Sequence, residues 1–231
     1  PSAVSTAVAP LVTKVMAYAI IRAMFTVFKA ECSVLTGVTD LMLWLGTFAI
    51  LFGAIMALSQ NDYKRMLSYV IIAEIGYIVG GVGVANTAAM TGAIFHIVND
   101  ALMMACLFTV SGLVMHQTGG HQISNFKGIF RTMPVTAVIL SIGALSVIGI
   151  PPTCGFFSKW YLLAGGIEAG QWAFVTALLV CTLINVALFF RIFDKGLYLH
   201  AQDHGSSDSE PSPEPHAGEA PPRMLIPACV L

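Results

Sequence analysis

Hydrophobic residues fill the chain in long runs, and short polar stretches separate them. The runs cover residues 4–28, 41–59, 66–85, 90–115, 134–165 and 172–193, and a further run begins near residue 223. A helix needs about 20 apolar residues to cross the roughly 30 Å hydrocarbon core of a bilayer. The pattern therefore predicts an all-α, polytopic transmembrane helix bundle of about six spans over residues 1–199. Residues 223–231 are expected to start another span.

Composition supports a membrane location. Of the 231 residues, 57% are hydrophobic and only 10% are charged, against about 25% in soluble domains. With a net charge of −1 and no large basic patch, a nucleic acid partner is not expected. The five cysteines are scattered without a CxxC pair, which indicates buried small side chains. The chain lacks an initiator methionine and stops inside an apolar run, so we interpret it as a piece of a longer protein.

The fifth apolar run is interrupted. Residues 149–155 contain Pro151 and Pro152 followed by Gly155, which cannot continue an α-helix because backbone donors are lost and the proline rings clash with the preceding turn. The sequence predicts a discontinuous helix, broken after residue 150 and resuming at Phe156. Broken transmembrane helices commonly line ion paths. Lys159 lies about one turn beyond the break.

Basic residues favour one side of the predicted membrane. If the spans alternate in direction, one side receives all but one of the loop lysines and arginines: Lys64, Arg65, Lys127, Arg131, Arg191, Lys195 and Arg223, against Lys29 alone on the other side. The positive-inside rule predicts that the loops at Lys64/Arg65, 116–133 and 193–222 are cytoplasmic. Residues 200–222 are rich in proline, serine and acidic residues, which predicts a disordered loop rather than a metal site.

Five ionisable side chains lie inside the apolar runs, where a charge costs roughly 3 kcal/mol even on lenient scales. They are Lys14, Glu74, His96, Asp100 and Lys159. Such residues are candidates for a proton or ion path by default. The alternative is a non-transporting structural subunit in which they form ion pairs.

Spacing suggests how some of these residues are placed. His96, Asp100 and Met104 are four residues apart, so they form a stripe on one helix face, and an imidazole beside a carboxylate suits a proton relay. Lys14 can transfer a proton if burial favours its neutral form. Arg22, eight residues further on, is expected on the same face as a fixed counter-charge or an interface anchor.

Glu74 has no basic neighbour in its own helix. Its partner must therefore come from another span, either Lys14 or Lys159, unless the carboxyl group is protonated.

Four segments in this order resemble a known family. They are residues 1–5 leading to Lys14, residues 61–69 with 75–77, residues 95–112, and residues 149–159. The chain resembles the antiporter-like proton-translocating membrane subunits of respiratory complex I, membrane-bound hydrogenases and Mrp-type monovalent cation/proton antiporters. Residues 96–100 and 150–160 are most similar to the D-type subunits of the Mrp antiporters.

The resemblance implies roles for individual residues. It implies that Lys14 is the central lysine, His96 the connecting histidine and Lys159 the terminal lysine on the broken helix. It also implies that about half of a full subunit lies before Pro1. Asp100 and Met104 depart from members that have a second histidine and a lysine there, and Met104 cannot carry a proton.

The sequence thus predicts a subunit of a larger bacterial inner-membrane complex. It would move H⁺, or exchange H⁺ for Na⁺ or K⁺, through Lys14, His96 and Lys159, with Glu74 and Asp100 tuning or extending the path. No haem, flavin, quinone or iron–sulfur motif is visible, so no cofactor is expected in this chain. Whether a redox reaction on other chains or a cation gradient supplies the energy stays open.

Overall fold

The computed structural model describes residues 2–24 and 34–197, with side chains at 12–24 and 37–197. Within these ranges the secondary structure is helical, which confirms the all-α bundle. The helices are α1 Ser2–Arg22, α2 Val34–Leu58, α3 Tyr63–Val84, α4 Thr87–Thr118, α5 Ile129–Thr132, α6 Pro134–Ile148, α7 Cys154–Glu168 and α8 Trp172–Leu197, with a short 3₁₀ helix at Ile123–Phe126.

Four of these helices contain apolar segments long enough to cross a bilayer: 37–58, 63–84, 87–118 and 172–197. They match four predicted spans, although α4 is longer than the predicted 90–115. The expected disordered loop at 200–222 and the expected helix start at 223–231 lie outside the described residues. The division of the chain at residues 199 and 222 therefore stays a prediction.

The predicted break separates α6 from α7. Helix α6 ends at Ile148, where Gly149 adopts a φ of +86° that favours glycine and donates its N–H to the Leu145 carbonyl. The Pro151–Pro152 segment follows, and α7 starts at Cys154, two residues earlier than predicted. A discontinuous helix is thus confirmed.

Hydrogen bonds near the helix ends show that the spans from α2 to α8 alternate in direction, with α6 and α7 counted as one broken span. At one end, the N–H of Tyr63 donates to the His121 carbonyl at 2.9 Å, and the guanidinium of Arg191 donates to the Leu58 carbonyl at 3.1 Å. These contacts bring the 59–62 turn, the 119–133 loop and the end of α8 together. At the other end, the Asn86 amide donates to the Gly165 carbonyl at 2.8 Å. The loops rich in basic residues therefore share one end of the bundle.

Helices α2 and α3 pack closely through glycine. A Cβ atom at Gly46 would lie well inside van der Waals contact of the Gly80 backbone. Small residues allow such approach between helices in membranes, where close packing stabilises association. Glycine at residue 46 therefore lets α3 lie directly on α2.

The broken helix is fixed by its neighbours. A Cβ atom at Gly155 would overlap the Ser146 carbonyl oxygen, so the start of α7 lies against the last part of α6. The Asn99 amide of α4 donates to the Cys154 carbonyl at 2.8 Å. These contacts place the first turn of α7 beside the middle of α4.

The buried charges of α4 lie between two apolar clusters. Ala89 and Ala93 belong to one cluster, whereas Met103 and Met104 belong to the other. His96 and Asp100 fall between them along the helix and are fully buried. The polar stretch of α4 is therefore short and enclosed on both sides by apolar packing.

Candidate functional site: a buried charge cluster

All five predicted site residues are buried. The exposed fraction is 5% for Lys14, 8% for Lys159 and 0% for Glu74, His96 and Asp100. They come from α1, α3, α4 and α7, and they contact one another in two groups. The two groups meet on α4, because His96 and Asp100 are one helical turn apart.

The first group is a pair between α1 and α4. The Lys14 ammonium forms an ion pair with Oδ2 of Asp100. Oδ1 of Asp100 has no hydrogen-bond partner among the described residues. A buried charge needs a partner of opposite charge, and each of these two residues provides one for the other.

The second group is centred on the Glu74 carboxylate. Its Oε2 lies 2.7 Å from Nε2 of His96, and its Oε1 lies 3.7 Å from Nζ of Lys159. The sequence left the partner of Glu74 open between Lys14 and Lys159. The structure pairs it with Lys159 and adds His96 as a second partner.

Lys159 connects this group to the helix break. Its ammonium donates to the carbonyl of Val147, which lies in the last turn of α6. Carbonyls of a last turn lack helical partners and carry partial negative charge, so a cation there is favourable. The ammonium also lies 5.0 Å from the centre of the Tyr77 ring, within cation–π distance.

His96 bridges α3 and α7. Its Nδ1 lies 3.0 Å from Oγ of Ser158, while Nε2 faces Glu74. The edge-to-face contact with Tyr77, at 5.4 Å between ring centres, fixes the plane of the imidazole. Both ring nitrogens therefore have a polar partner, which suits a group that gains and loses a proton.

With His96 neutral, the two carboxylates balance the two ammonium groups. A proton on His96 gives the cluster one net positive charge in an apolar environment. Such an unbalanced charge is costly there, and the contact of Nε2 with the Glu74 carboxylate offsets part of the cost.

Met104 lies one helical turn beyond Asp100 on α4. Met104 is fully buried in an apolar cluster, so the polar stretch on α4 ends at Asp100 and continues sideways to Lys14.

Arg22 does not share the buried face of Lys14. Its side chain is exposed and contacts Tyr18, whose hydroxyl lies 3.4 Å from the guanidinium. The expectation of a shared face was wrong, and the contact fits an interface anchor.

Sequence reasoning missed two members of the cluster. Tyr77 and Ser158 both lie in segments that support the family resemblance, but neither is ionisable near neutral pH. Position in the motif was the available signal, since Ser158 directly precedes Lys159.

Comparison with known proteins identifies the family to which the chain belongs. Residues 1–185 match the family described as NADH:quinone oxidoreductase/Mrp antiporter, transmembrane. This match covers most of the chain, and the chain belongs to that membrane protein family.

Individual relatives include both oxidoreductase subunits and antiporter subunits. The chain is 40% identical over 235 residues to the N subunit of an NADH-quinone oxidoreductase from Desulforudis audaxviator, covering 100% of the chain and 46% of the relative. It is 34% identical over 194 residues to the D subunit of a Na⁺/H⁺ antiporter from Alkalihalophilus pseudofirmus, covering 84% and 38%. The chain thus spans less than half the length of these relatives.

Solved structures share the fold. A chain of the Mrp complex from a Dietzia species superposes with a TM-score of 0.81 at 22% identity, covering 94% of this chain and 46% of that chain. A chain of respiratory complex I from Thermus thermophilus gives 0.75 at 18% identity, with coverage of 91% and 43%.

Proposed function

We propose that the chain is part of a membrane subunit that translocates protons within a larger complex. The observation that supports this most strongly is the row of five buried ionisable groups, Lys14–Asp100 and His96–Glu74–Lys159, which crosses four helices. Structural ion pairs alone do not need a histidine with polar partners on both ring nitrogens. The family relatives named as oxidoreductase and antiporter subunits agree with transport.

In the proposed path, Lys14 is the switchable carrier. While Asp100 contacts it, the ammonium is favoured, and separation of the two in an apolar environment favours loss of the proton. The proton moves to His96, with water or Asp100 completing the step of one helical turn. Glu74 holds the imidazolium, and Lys159 exchanges the proton at the helix break.

Energy for net transport must come from outside this chain. A proton that crosses against 100 mV requires about 2.3 kcal/mol. We infer that the chain assembles with other membrane subunits in a bacterial inner membrane, with the basic loops at Lys64/Arg65 and 116–133 in the cytoplasm. Relatives of both kinds leave two driving forces: a redox reaction on other subunits, or exchange for Na⁺ or K⁺.

The test uses the complete subunit in its complex, reconstituted into vesicles that contain a pH-sensitive dye. Lys14→Ala and Lys159→Ala should each lower proton movement at least tenfold, because each removes one end of the path. Lys195→Ala is the matched control, since Lys195 is exposed at the end of α8 and outside the cluster.

Normal assembly with unchanged proton movement in both variants would contradict the proposal and favour a structural subunit. Repeating the assay with an imposed Na⁺ or K⁺ gradient and no redox substrate distinguishes the driving forces. Proton movement that follows the cation gradient indicates exchange, and movement that requires the redox substrate indicates a pump.

A further inference from the structure

We propose that Ser158 is a hydroxyl switch that sets whether Nδ1 of His96 carries a proton. Ser158 would be a positioning residue, since it acts through His96 and does not carry the proton itself. Its role in transport rests on the proposed function, but its effect on His96 can be measured separately.

The Ser158 hydroxyl lies between two partners that compete for one hydrogen. Its Oγ is 3.0 Å from Nδ1 of His96 and 3.1 Å from the carbonyl oxygen of Gly155. A serine hydroxyl can donate to only one of them at a time, while its lone pairs can accept from the other side. A carbonyl can only accept, whereas Nδ1 can either accept or donate. Rotation of one O–H bond therefore serves both forms of Nδ1.

Two complete hydrogen-bonding arrangements follow. In the unloaded arrangement, Nδ1 carries no proton and accepts a hydrogen bond from the Ser158 hydroxyl. Nε2–H donates to the Glu74 carboxylate, 2.7 Å away. In the loaded arrangement, Nδ1–H donates to Oγ, and the hydroxyl donates to the Gly155 carbonyl. Nδ1 gains one proton from a hydronium ion in the path, which leaves water, and Glu74 keeps the same hydrogen bond.

Neither arrangement leaves a nitrogen of the ring without a partner. This matters because a buried polar group without a hydrogen bond is costly. The switch lets His96 load and unload with no displacement of heavy atoms.

The charges around His96 come from three neighbouring helices and its own. Asp100 of α4 and Glu74 of α3 favour the loaded ring, while Lys14 of α1 and Lys159 of α7 oppose it. Tyr77 of α3 contacts the ring edge. Helix α6, residues 134–148, contains no ionisable side chain. Two carboxylates and two ammonium groups thus act on the ring in opposite directions, and the hydrogen bond at Nδ1 adds to the form that it stabilises better.

The position of Ser158 ties this balance to the helix break. Both Gly155 and Ser158 lie in the first turns of α7, and Gly155 packs against the Ser146 backbone of α6. A shift of α7 relative to α4 would change the distance from Oγ to Nδ1. The loading of His96 is therefore coupled to the geometry of the broken helix.

The experiment measures His96 directly. The full subunit in its complex is labelled with ¹⁵N-histidine in lipid, and solid-state NMR follows both ring nitrogens across pH. The His96 signals are assigned by their loss in His96→Gln. Ser158→Ala should lower the fraction of doubly protonated ring at a given pH about fivefold, because a hydrogen bond to a charged ring contributes roughly twice as much as one to a neutral ring.

Two variants show whether the hydroxyl is responsible. Ser158→Thr retains it and should return the loaded fraction to within about twofold of the parent. Ser141→Ala is the matched control, because that hydroxyl on α6 donates to the Ala137 carbonyl at 2.8 Å, within its own helix. If Ser158→Ala does not assemble, Ser158→Cys takes its place, and its weaker hydrogen bonding should cause a similar fall.

Unchanged His96 signals in Ser158→Ala, or in Ser158→Cys where that variant replaces it, would overturn the proposal, as would failure of threonine to restore them. The vesicle assay separates the two proposals. If His96 responds to Ser158 while Lys14→Ala and Lys159→Ala transport normally, the switch stands and proton translocation fails.

Discussion

The two halves of the charge cluster differ in how many partners each carboxylate has. Asp100 contacts one cation, Lys14, across two continuous helices. Glu74 lies between His96 and Lys159, and Lys159 also contacts the Val147 carbonyl and the Tyr77 ring. The first half is a simple pair, and the second is a network built around a broken helix.

Because of this difference, we expect the two halves to have different roles in the proposed path. A pair with one contact can separate and re-form with little rearrangement, which suits a carrier that switches. A network with several contacts loses much when any member leaves, but a proton can move within it over short distances. The Lys14 half should therefore respond to conformational change, and the Glu74 half should hold the path in place.

The largest effect is expected from Glu74→Gln. It leaves both Lys159 and His96 without a carboxylate, so proton movement in vesicles should fall at least tenfold and by more than in Asp100→Asn, which leaves one cation alone. Glu168→Gln is the control, because Glu168 is exposed and makes a long 3.5 Å contact with Asn86. An equal or greater loss in Asp100→Asn would show that the two halves do not differ as described.

An intermediate effect is expected for stability in double variants. Lys14→Gln or Asp100→Asn alone leaves a buried charge unpaired, at a cost of about 3–5 kcal/mol, whereas removing both is close to neutral. Thermal unfolding of the complex in lipid should therefore show recovery in the double variant, without recovery of transport.

The corresponding double variant of Glu74 and Lys159 sharpens the comparison. It should recover less stability, because the Val147 carbonyl loses its donor and His96 loses its acceptor. Equal recovery in both double variants would contradict the view that only the second half is a network.

The smallest effect is expected from removing only the Tyr77 hydroxyl. Tyr77→Phe keeps the ring that contacts Lys159 and His96, so proton movement should stay within about twofold of the parent. Tyr77→Leu removes the cation–π contact, worth about 0.5–2 kcal/mol, and should lower transport by two- to thirtyfold. Similar losses in both variants would show that the hydroxyl, rather than the ring, is needed.

Much of this arrangement could be predicted from the sequence. Run lengths gave the spans because a bilayer sets the length of an apolar helix, and Pro151 and Pro152 located the break because proline cannot extend one. The five buried ionisable residues could be found because a charge in an apolar run is rare and costly. The family resemblance also implies the order Lys14, His96 and Lys159 along the path, and that order stays a prediction.

The contacts between helices could not be predicted in the same way. Spacing along one helix relates His96 to Asp100, but the pairing of Glu74 with Lys159 depends on how α3 and α7 pack. Arg22 shows a further limit of spacing. Eight residues correspond to a rotation of roughly 80° around a helix, which is enough to move a side chain from a buried to an exposed face.

The close packing at Gly46 also bears on which parts of the cluster can move. At this contact, rotation or sliding of α3 on α2 would bring backbone atoms closer together, so we expect the Glu74 carboxylate to keep its position relative to α2. Lys14 and Lys159 have long side chains, and Lys159 also lies beyond a break in its helix. We therefore expect the Glu74 carboxylate to stay in place during the proposed transport, while the Lys14 side chain moves.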